Sequence, residues 1–295
     1  MTATERSTRL SGALLVATGA IAFSGKAVII KLAYRYGVDA LTLLALRMLL
    51  SAPFFALLGW WAARGAAPVA PRDRLTLALM GFVGYYLASY FDFLGLQYVT
   101  AALERLLLFM HPTFVVLISA AFFGRRITGR DLVAIGTCYA GIFLVFFNDL
   151  HTQPGNVLLG SAWVLLSALL YATYLVGSGR LVGRVGSMRF ASYAGLVSSG
   201  AVVAHFIVMR DVTVILHQAA PVYWLSLLMA LASTVLPIVL TSEGIRRMGA
   251  SHASIIGSVG PISTIALGAI FLGEPVTAVQ ISGALLVLAG VLVLV

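Results

Sequence analysis

Apolar residues run along this chain in stretches of about 20 residues, separated by short segments that hold most of its charged and turn-forming residues. Coiled as an α-helix, such a stretch is long enough to cross the apolar core of a lipid bilayer. The pattern predicts ten membrane-spanning helices, near residues 11–31, 40–61, 75–95, 99–123, 131–147, 157–178, 187–209, 221–242, 249–272 and 276–295.

The basic residues between these stretches favour one orientation in the membrane. Short cytoplasmic loops carry an excess of Lys and Arg. With the N-terminus in the cytoplasm, only Lys31, Arg35 and Arg210 fall on the outer side. Thirteen arginines fall on the cytoplasmic side, namely Arg6, Arg9, Arg64, Arg72, Arg74, Arg125, Arg126, Arg130, Arg180, Arg184, Arg189, Arg246 and Arg247. This asymmetry predicts that both termini are cytoplasmic.

The composition supports an integral membrane protein. Hydrophobic residues make up 61% of the chain, charged ones 10%, and the mean hydropathy is +1.02. These values leave too few polar side chains to cover a soluble domain. The net charge of +9 is explained by topology-setting residues, so no nucleic-acid partner is expected. The single cysteine, Cys138, excludes a disulfide framework. The first apolar stretch is expected to be a retained helix rather than a cleaved signal.

The second half of the chain repeats the first. A shift of 149 residues without a gap aligns 95–146 with 244–295, and nine of these 52 pairs are identical. The identical pairs include Gly95 and Gly244, Pro112 and Pro261, Phe122 and Phe271, Gly124 and Gly273, and Thr128 and Thr277. Because five helices is an odd number, the second unit must enter the membrane from the opposite side. The sequence predicts two five-helix repeats, 1–147 and 148–295, in an inverted arrangement.

Two prolines occupy equivalent places near the middle of the fourth and ninth predicted helices. Pro112 and Pro261 have no N–H, so the carbonyls of Leu108 and Gly257 lose their helical partners. A backbone break at membrane depth is tolerated where protein or a water-filled cavity surrounds it. Both helices are expected to face the interior between the repeats, with the prolines acting as hinges. A packing kink is the alternative.

Six ionisable residues lie within the first four predicted spans, namely Lys26, Arg47, Asp92, Glu104, Arg105 and His111. Each would be costly against lipid, so each is expected to face protein or water. Lys26 is the deepest cation, and either meets a substrate carboxylate or pairs with Asp92 or Glu104. Asp92, Glu104 and Arg105 are expected near helix ends, where their side chains can reach the membrane–water interface. For His111, a neutral hydrogen-bonded imidazole and a proton acceptor both remain open.

Aromatic residues with interleaved hydroxyl groups suggest a cavity wall. Trp163 and Tyr171 lie on one stripe of the sixth helix, and Tyr85 and Tyr86 are neighbours on the third. Flat rings beside polar groups suit an amphipathic solute, although such stripes also serve packing. The predicted substrate-binding residues are Trp163, Tyr85, Tyr86, Tyr171, Ser254, Ser258 and Lys26.

The fifth and tenth helices carry little polarity beyond small residues. Gly136, Gly141, Gly283 and Gly290 allow close packing of these helices. We expect the two helices at the periphery or at a subunit contact, so that a homodimer through them is one expected assembly.

Motifs of enzymes are missing from the sequence. There is no G-x-S-x-G, no H-E-x-x-H and no cluster of Cys or His. The nearest approach to a phosphate loop, Gly19–Ala27, has the wrong glycine spacing and ends on Ala27 where Ser or Thr is needed. We expect no catalytic residues, no metal, no cofactor and no ATP hydrolysis.

The repeat, the paired prolines and the turn Gly273, Glu274, Pro275 resemble the drug/metabolite transporter superfamily, in its ten-helix branch of two EamA-like halves. The small residues Ala250, Ser251, Ser254 and Ser258 fit the same pattern, whereas Arg125 replaces the glutamate in the first half. Within the superfamily, the aromatic residues make the chain similar to bacterial exporters of amino acids, including aromatic ones.

This resemblance implies a secondary transporter in a bacterial-type inner membrane. It would export amino acids of broad, mainly neutral and aromatic type by alternating access around a central cavity. Efflux of drugs, organic cations or other metabolites is the alternative within the same class. A channel or a membrane-embedded lipid enzyme are the alternatives from other classes.

Overall fold

The computed structural model describes residues 3–124, 126–152, 155–248, 250–257 and 259–294. Within these ranges the chain contains no β-strand and forms ten helical stretches. They are α1 (Ala3–Tyr34), α2 (Ala40–Ala63), α3 (Pro71–Gly95), α4 (Ala101–Phe123), α5 (Gly129–Thr152), α6 (Val157–Val185), α7 (Ser187–Met209), α8 (Ala220–Met248), α9 (250–272, apart from Ser258) and α10 (Ala278–Leu294). A 3₁₀ turn, Val212–His217, joins α7 to α8.

Eight of these helices, α1 to α8, are long and apolar enough to cross a membrane. The apolar part of α9, Gly260–Leu272, and that of α10, Ala278–Val293, are shorter. All ten stretches follow the predicted order, and the predicted all-helical membrane fold of two repeats is confirmed. Several helices extend past the predicted ends, as α6 does to Val185, because polar residues continue the helix beyond the apolar run.

Four helices are interrupted, and the interruptions recur in both halves. The third helix of each repeat contains a π-helical turn, Phe82–Leu87 in α3 and Leu231–Val235 in α8. The fourth helix of each repeat is broken ahead of its proline, so that α4 restarts at His111 and α9 restarts at Gly260. Breaks and π turns are frequent at functional sites, and their recurrence shows that the repeat extends to the backbone.

Helix packing follows the same repeat. In the first half α3 and α4 pack against α6, and in the second half α8 and α9 pack against α1. The second helices of the two repeats, α2 and α7, pack against each other, as do the fifth helices, α5 and α10. Each repeat therefore inserts its first helix between the third and fourth helices of the other, which brings α1, α3, α4, α6, α8 and α9 to the centre.

The turns at the ends of the bundle are formed by residues suited to them. Thr128 and Asp131 cap α5 by exchanging hydrogen bonds between side chain and backbone, and Thr277 and Gln280 cap α10 in the same way. Gly124 and Gly273, which end the preceding helices, have φ values of 67° and 70°. This left-handed conformation favours glycine over any other residue. We call the end that holds Glu274 and the α3–α4 turn the Glu274 end, and the opposite one the Glu243 end.

Candidate functional site

Three charged side chains from three helices meet inside the bundle. Lys26 of α1 places its Nζ 2.5 Å from Oδ2 of Asp92 on α3 and 3.4 Å from Oε1 of Glu104 on α4. The exposed fractions are 7%, 2% and 1%. Of the two alternatives left open for Lys26, the structure shows pairing with the acids. We call Lys26, Asp92 and Glu104 the charged triad.

The expectation that Asp92, Glu104 and Arg105 reach the membrane interface is wrong. All three are buried, although they lie within a few residues of the α3–α4 turn. The reason is that this turn is covered by the α9–α10 loop. The carboxylate of Glu274 in that loop accepts a hydrogen bond from the backbone N–H of Ala101, at 3.0 Å.

The guanidinium group of Arg105 points across the bundle towards the break in α9. It lies over the rings of Phe23 on α1 and Phe109 on α4, with its central carbon 5.0 and 5.2 Å from their centres. A Cβ atom built on Gly260 would come within 2.4 Å of Nη2 of Arg105, so a larger residue there would require the arginine side chain to shift. The Nε of Arg105 is buried without a hydrogen-bond partner among the described residues.

A second arginine approaches from α2. Arg47 donates a hydrogen bond of 3.0 Å from Nε to Oγ1 of Thr234 in the π turn of α8, and lies over the ring of Phe93. Its Nη1 is buried without a partner in the described part of the chain. Arg47 also lies within electrostatic range of Asp92 and Tyr85.

This centre holds more positive than negative charge. Three cations, Lys26, Arg47 and Arg105, face two carboxylates, Asp92 and Glu104. Both oxygens of Glu104 and Oδ1 of Asp92 accept no hydrogen bond from the described residues. The site therefore offers unpaired N–H donors and unpaired carboxylate oxygens close together, and a buried group left unpaired in this way is costly unless a ligand or water completes it.

Two of the predicted aromatic residues adjoin this charged centre. Tyr171 of α6 lies within electrostatic range of Arg105, and Tyr85 of α3 lies within range of Arg47. Both rings contact Tyr174 of α6, with centres 5.6 and 5.3 Å apart, and Tyr171 also contacts His111 at 5.3 Å. Tyr171 keeps 37% of its surface exposed, so part of one face is free.

The other two predicted aromatic residues lie elsewhere. The hydroxyl of Tyr86 is 3.0 Å from Nδ1 of His205 on α7, on a different side of α3 from Tyr85. Trp163 stacks on Phe91, with ring centres 5.2 Å apart and planes 10° apart. Of the predicted serines, Ser258 and the side chain of Ser254 lie outside the described residues.

The Leu108 carbonyl, which loses its helical partner at Pro112, accepts a hydrogen bond from a side chain. Nδ1 of His111 lies 2.9 Å from the Leu108 oxygen. Because a carbonyl only accepts, Nδ1 carries the proton and donates, which matches the hydrogen-bonded alternative for His111. At the second break, the hydroxyl of Ser24 on α1 donates to the Gly260 oxygen at 3.0 Å. A side chain thus satisfies the freed carbonyl at Pro112, whereas at the second break Ser24 bonds Gly260 and not the Gly257 carbonyl that Pro261 frees.

The peripheral pair α5 and α10 is held by small residues. Cβ atoms built on Gly141, Gly283 and Gly290 would come within 2.4 to 2.7 Å of atoms of the facing helix. Gly136, in contrast, faces open space. These helices pack on each other within one chain, and the far side of α5 exposes apolar residues such as Phe143 and Phe147.

Two hollows open at the Glu274 end. One, of about 310 Å³, is lined by Tyr90, His205, Asp39 and Arg210. The other, of about 470 Å³, is lined by Lys31, Arg35, Leu96 and Glu274. Lys31 lies 3.6 Å from Glu274, and Arg35 donates a hydrogen bond of 2.8 Å to the Leu272 oxygen, so α1 is fastened to the α9–α10 loop.

The sequence analysis noted Arg47 and Arg105 as ionisable residues within predicted spans but did not assign them to the substrate site. It also missed Thr234, which holds Arg47. A signal was present, since Thr234 aligns with Tyr85 under the 149-residue shift. The two positions face the same centre from the π turns of opposite repeats.

Comparison with known proteins agrees with this architecture. The model of the EamA-like transporter family matches residues 10–147 and 158–295. The chain is 32% identical over 280 residues to the uncharacterized transporter YcbK of Bacillus subtilis, covering 92% of this chain and 89% of that protein.

More distant relatives include transporters from other groups of organisms. An uncharacterized transporter of Archaeoglobus fulgidus is 27% identical over 75% of this chain and 76% of its own length. Solute carrier family 35 member F5 of Bos taurus is 28% identical over 38% of this chain and 22% of its own length. A solved structure, titled only as the crystal structure of a protein, superposes with a TM-score of 0.62 at 15% identity over 96% of both chains, which supports the fold. Because the family model matches nearly the whole of both halves, this chain belongs to the EamA-like transporter family.

Proposed function

We propose that this transporter carries amino acids, neutral and aromatic ones foremost, from the cytoplasm to the outside. The observation that carries the proposal is the set of unpaired groups at the centre of the bundle. Arg47 and Arg105 offer N–H donors, while Asp92 and Glu104 offer acceptor oxygens. An amino acid is a zwitterion that needs both, one for its carboxylate and one for its ammonium group.

The aromatic surroundings suit the side chain of such a substrate. Tyr85, Tyr171 and His111 form a connected group of rings beside Arg105, and Phe23 and Phe109 flank its guanidinium. A flat apolar side chain stacks well on rings, and an aliphatic one packs less specifically. The site therefore favours aromatic amino acids without rejecting others. Lys26 contributes to substrate binding indirectly, because its ion pairs position Asp92 and Glu104.

The charge balance separates this proposal from efflux of organic cations. A monovalent organic cation would enter a site that already has one more cation than it has carboxylates, and would gain no partner for Arg47 or Arg105. A zwitterion adds no net charge. The charge balance of the site therefore favours a zwitterion over an organic cation.

We further propose alternating access in a bacterial-type inner membrane, with both termini in the cytoplasm and the Glu274 end outside. The orientation rests on the arginine asymmetry. The interrupted helices α4 and α9, which meet at Arg105 and Gly260, would change their bends as the repeats move. A homodimer through the exposed faces of α5 and α10 stays part of the proposal.

The experiment is substrate counterflow in proteoliposomes with four related solutes. Labelled phenylalanine is exchanged against unlabelled phenylalanine, phenethylamine, 3-phenylpropionate or phenylalanine amide. Phenylalanine alone should drive full exchange, because only it carries both charges. Arg105→Gln should abolish the exchange, and Arg210→Gln, a change of an exposed arginine at the loop, is the matched control. Exchange driven equally by phenethylamine would support cation efflux, and flux without saturation would support a channel.

A further inference from the structure

The charged triad carries an imbalance of its own. Asp92 and Glu104 each have an oxygen within 4 Å of Lys26 Nζ, so these oxygens are at most 5.9 Å apart, the sum of the two distances. Two carboxylates this close disfavour each other's charge, and burial adds the cost of removing both from water. One ammonium group offsets one of them. The second is stable in this place when it carries a proton.

The geometry assigns the charge and the proton to different members. Asp92 holds the short contact to Lys26, at 2.5 Å, which is a charge-assisted hydrogen bond and marks it as the ionised partner. Glu104 is the more loosely held, at 3.4 Å, and neither of its oxygens accepts a hydrogen bond from the described residues. A carboxylate that accepts no hydrogen bond is poorly stabilised in a buried place, whereas a protonated carboxylic acid can donate one from its own O–H. Oδ1 of Asp92 is a nearby acceptor that has no hydrogen-bond partner among the described residues.

Arg105 and Arg47 lie within electrostatic range of the triad, but among the described residues only Lys26 forms an ion pair with Glu104. Arg105 lies next to it in sequence, but its guanidinium points to Gly260 and no ion pair joins the two among the described residues. The remaining titratable and charged groups around the triad are Tyr34 on α1, Arg47 on α2, Tyr85 on α3, Tyr171 on α6 and Asp149 on α5. Asp149 lies at the α3–α4 turn, where it accepts a hydrogen bond from Thr100.

The second repeat has no acid at the positions that correspond to Asp92 and Glu104. Under the 149-residue shift, Asp92 aligns with Thr241 and Glu104 with Ala253, and both counterparts are uncharged. The same helices therefore pack in the second repeat without these acids. Buried ionisable groups on one repeat alone are costly, which points to a function for them.

Resting on the proposed substrate class, we propose that Asp92 and Glu104 hold one exchangeable proton and that this proton is the coupling ion of the transporter. The substrate's ammonium group and the proton compete for the same oxygens. When the ammonium group binds from the cytoplasm, the O–H bond of Glu104 breaks and the proton leaves to water on that side. When the substrate leaves outside, one proton from the outer water forms the O–H bond again.

The exchange has a defined stoichiometry and charge. One proton enters for each amino acid that leaves, and since the amino acid is a zwitterion, one positive charge moves inward per cycle. A pH difference of one unit then supports up to about a tenfold concentration ratio of the substrate at zero membrane potential. An inside-negative potential raises that ratio.

The first test uses Glu104→Gln in proteoliposomes with the membrane potential clamped at zero. The wild type should accumulate labelled phenylalanine up to about tenfold on a gradient of one pH unit. Glu104→Gln should lose this accumulation, because an amide carries no exchangeable proton, and the counterflow that it retains at symmetrical pH should not change with pH. Asp211→Asn, a carboxamide at an exposed loop residue, should behave as the wild type.

Two results would overturn the proposal. One is wild-type counterflow with no response to the pH gradient, and the other is gradient-driven accumulation by Glu104→Gln. If this variant does not fold, Asp92→Asn replaces it, since it removes the other half of the shared site.

A second measurement needs neither a variant nor a substrate. Infrared spectroscopy of the wild type at neutral pH should show the carbonyl band of a protonated carboxylic acid, and an absent band would refute the buried proton. If phenylalanine shows no counterflow at all, the substrate proposal has failed, and an absent infrared band would still refute the proton site by itself.

Discussion

Gly95 on α3 and Gly244 on α8 make the same contact in the two repeats. A Cβ on Gly95 would lie 2.5 Å from Cγ2 of Val164 and 2.9 Å from the Gly160 oxygen. A Cβ on Gly244 would lie 2.4 Å from Cγ2 of Val16 and 2.9 Å from the Gly12 oxygen. In each repeat the first helix of the other repeat therefore packs closely against a glycine of the third helix. These two contacts determine how the repeats pack on each other.

Alanine at Gly95 or Gly244 should destabilise the protein to a similar extent. The added methyl group meets a backbone oxygen, which moves less easily than a side chain, so we expect a loss of about 1–3 kcal/mol for each. The midpoint of thermal unfolding in detergent measures the effect.

Gly136→Ala is the matched control for these changes. Gly136 lies in a helix, with nothing within 4 Å of a built Cβ. Alanine there should leave the midpoint unchanged or raise it slightly, because alanine is the better helix former. Equal losses at all three positions would show that the close contact is not the cause.

Neutralising Lys26 alone should cost more than neutralising the whole charged triad. Lys26→Met leaves Asp92 and Glu104 buried without their cation, and breaking such a group costs about 3–5 kcal/mol. The triple variant Lys26→Met, Asp92→Asn, Glu104→Gln removes every charge and should unfold within about 1 kcal/mol of the wild type. Unfolding midpoints of single and triple variants give the comparison. A triple variant less stable than the single one would make the triad a structural element.

Removing the contacts of Glu274 with Ala101 and Lys31 should make the Glu274 end more accessible to solvent. Glu274 joins Ala101 N–H and Lys31, so Glu274→Ala removes both contacts at once. Leu96, buried at 1% exposure beside the same hollow, is a suitable reporter. In a Cys138→Ala background, Leu96→Cys should react with a thiol reagent at least about threefold faster after Glu274→Ala.

Glu243→Gln provides the comparison for the fastening. Glu243 pairs with Arg246 and Arg247 at the other end of the bundle, so the same loss of a carboxylate there should leave the reactivity at position 96 unchanged. Acceleration by both variants would indicate general loosening rather than a local fastening.

The orientation in the membrane can be read from exposed positions. In the same cysteine-free background, Asp211→Cys should react with an impermeant thiol reagent in intact cells. Arg72→Cys and Arg184→Cys should react only after the membrane is opened. All three side chains are exposed or lie at loops, so accessibility is limited by the membrane alone. The reverse pattern would place the Glu274 end in the cytoplasm and turn the proposed exporter orientation around.

The sequence predicted the helices and the repeat because both depend on features that act over many residues. Apolar runs of bilayer length fix the spans, and the spacing of glycine and proline fixes the repeat. It also gave pairing of Lys26 with Asp92 or Glu104 as one of two alternatives, since a buried cation is stabilised by an acid within reach.

What the sequence failed to predict depends on packing between distant segments. Asp92 and Glu104 lie near helix ends, and only the α9–α10 loop that covers those ends decides that they are buried. Tyr85 and Tyr86 are neighbours in sequence, but successive residues of a helix point about 100° apart, so they face different helices. For His111 the sequence left two alternatives open, and the hydrogen bond to the Leu108 oxygen, which Pro112 frees, decides between them.

The break at Pro112 should matter for the rate of transport. Without an N–H at position 112, the Leu108 oxygen is held by His111 instead of by the helix, and α4 bends between Leu108 and His111. Pro112→Ala restores the N–H, which competes with His111 for that oxygen and straightens α4. Because the bend must change as the repeats move, we expect exchange to slow by roughly tenfold, or about 1.4 kcal/mol in the barrier, with substrate affinity changed less.

Pro53→Ala tests whether any proline in a membrane helix has this effect. Pro53 also lies inside a helix, α2, but its ring is exposed on the outer surface of the bundle. Its replacement should leave the exchange rate unchanged. Counterflow rates at saturating substrate, together with the substrate concentration for half-maximal exchange, separate slow interconversion from weak binding. A Pro112→Ala variant that exchanges at the wild-type rate would reduce the proline to a packing feature and leave Gly260, opposite Arg105, as the remaining flexible point.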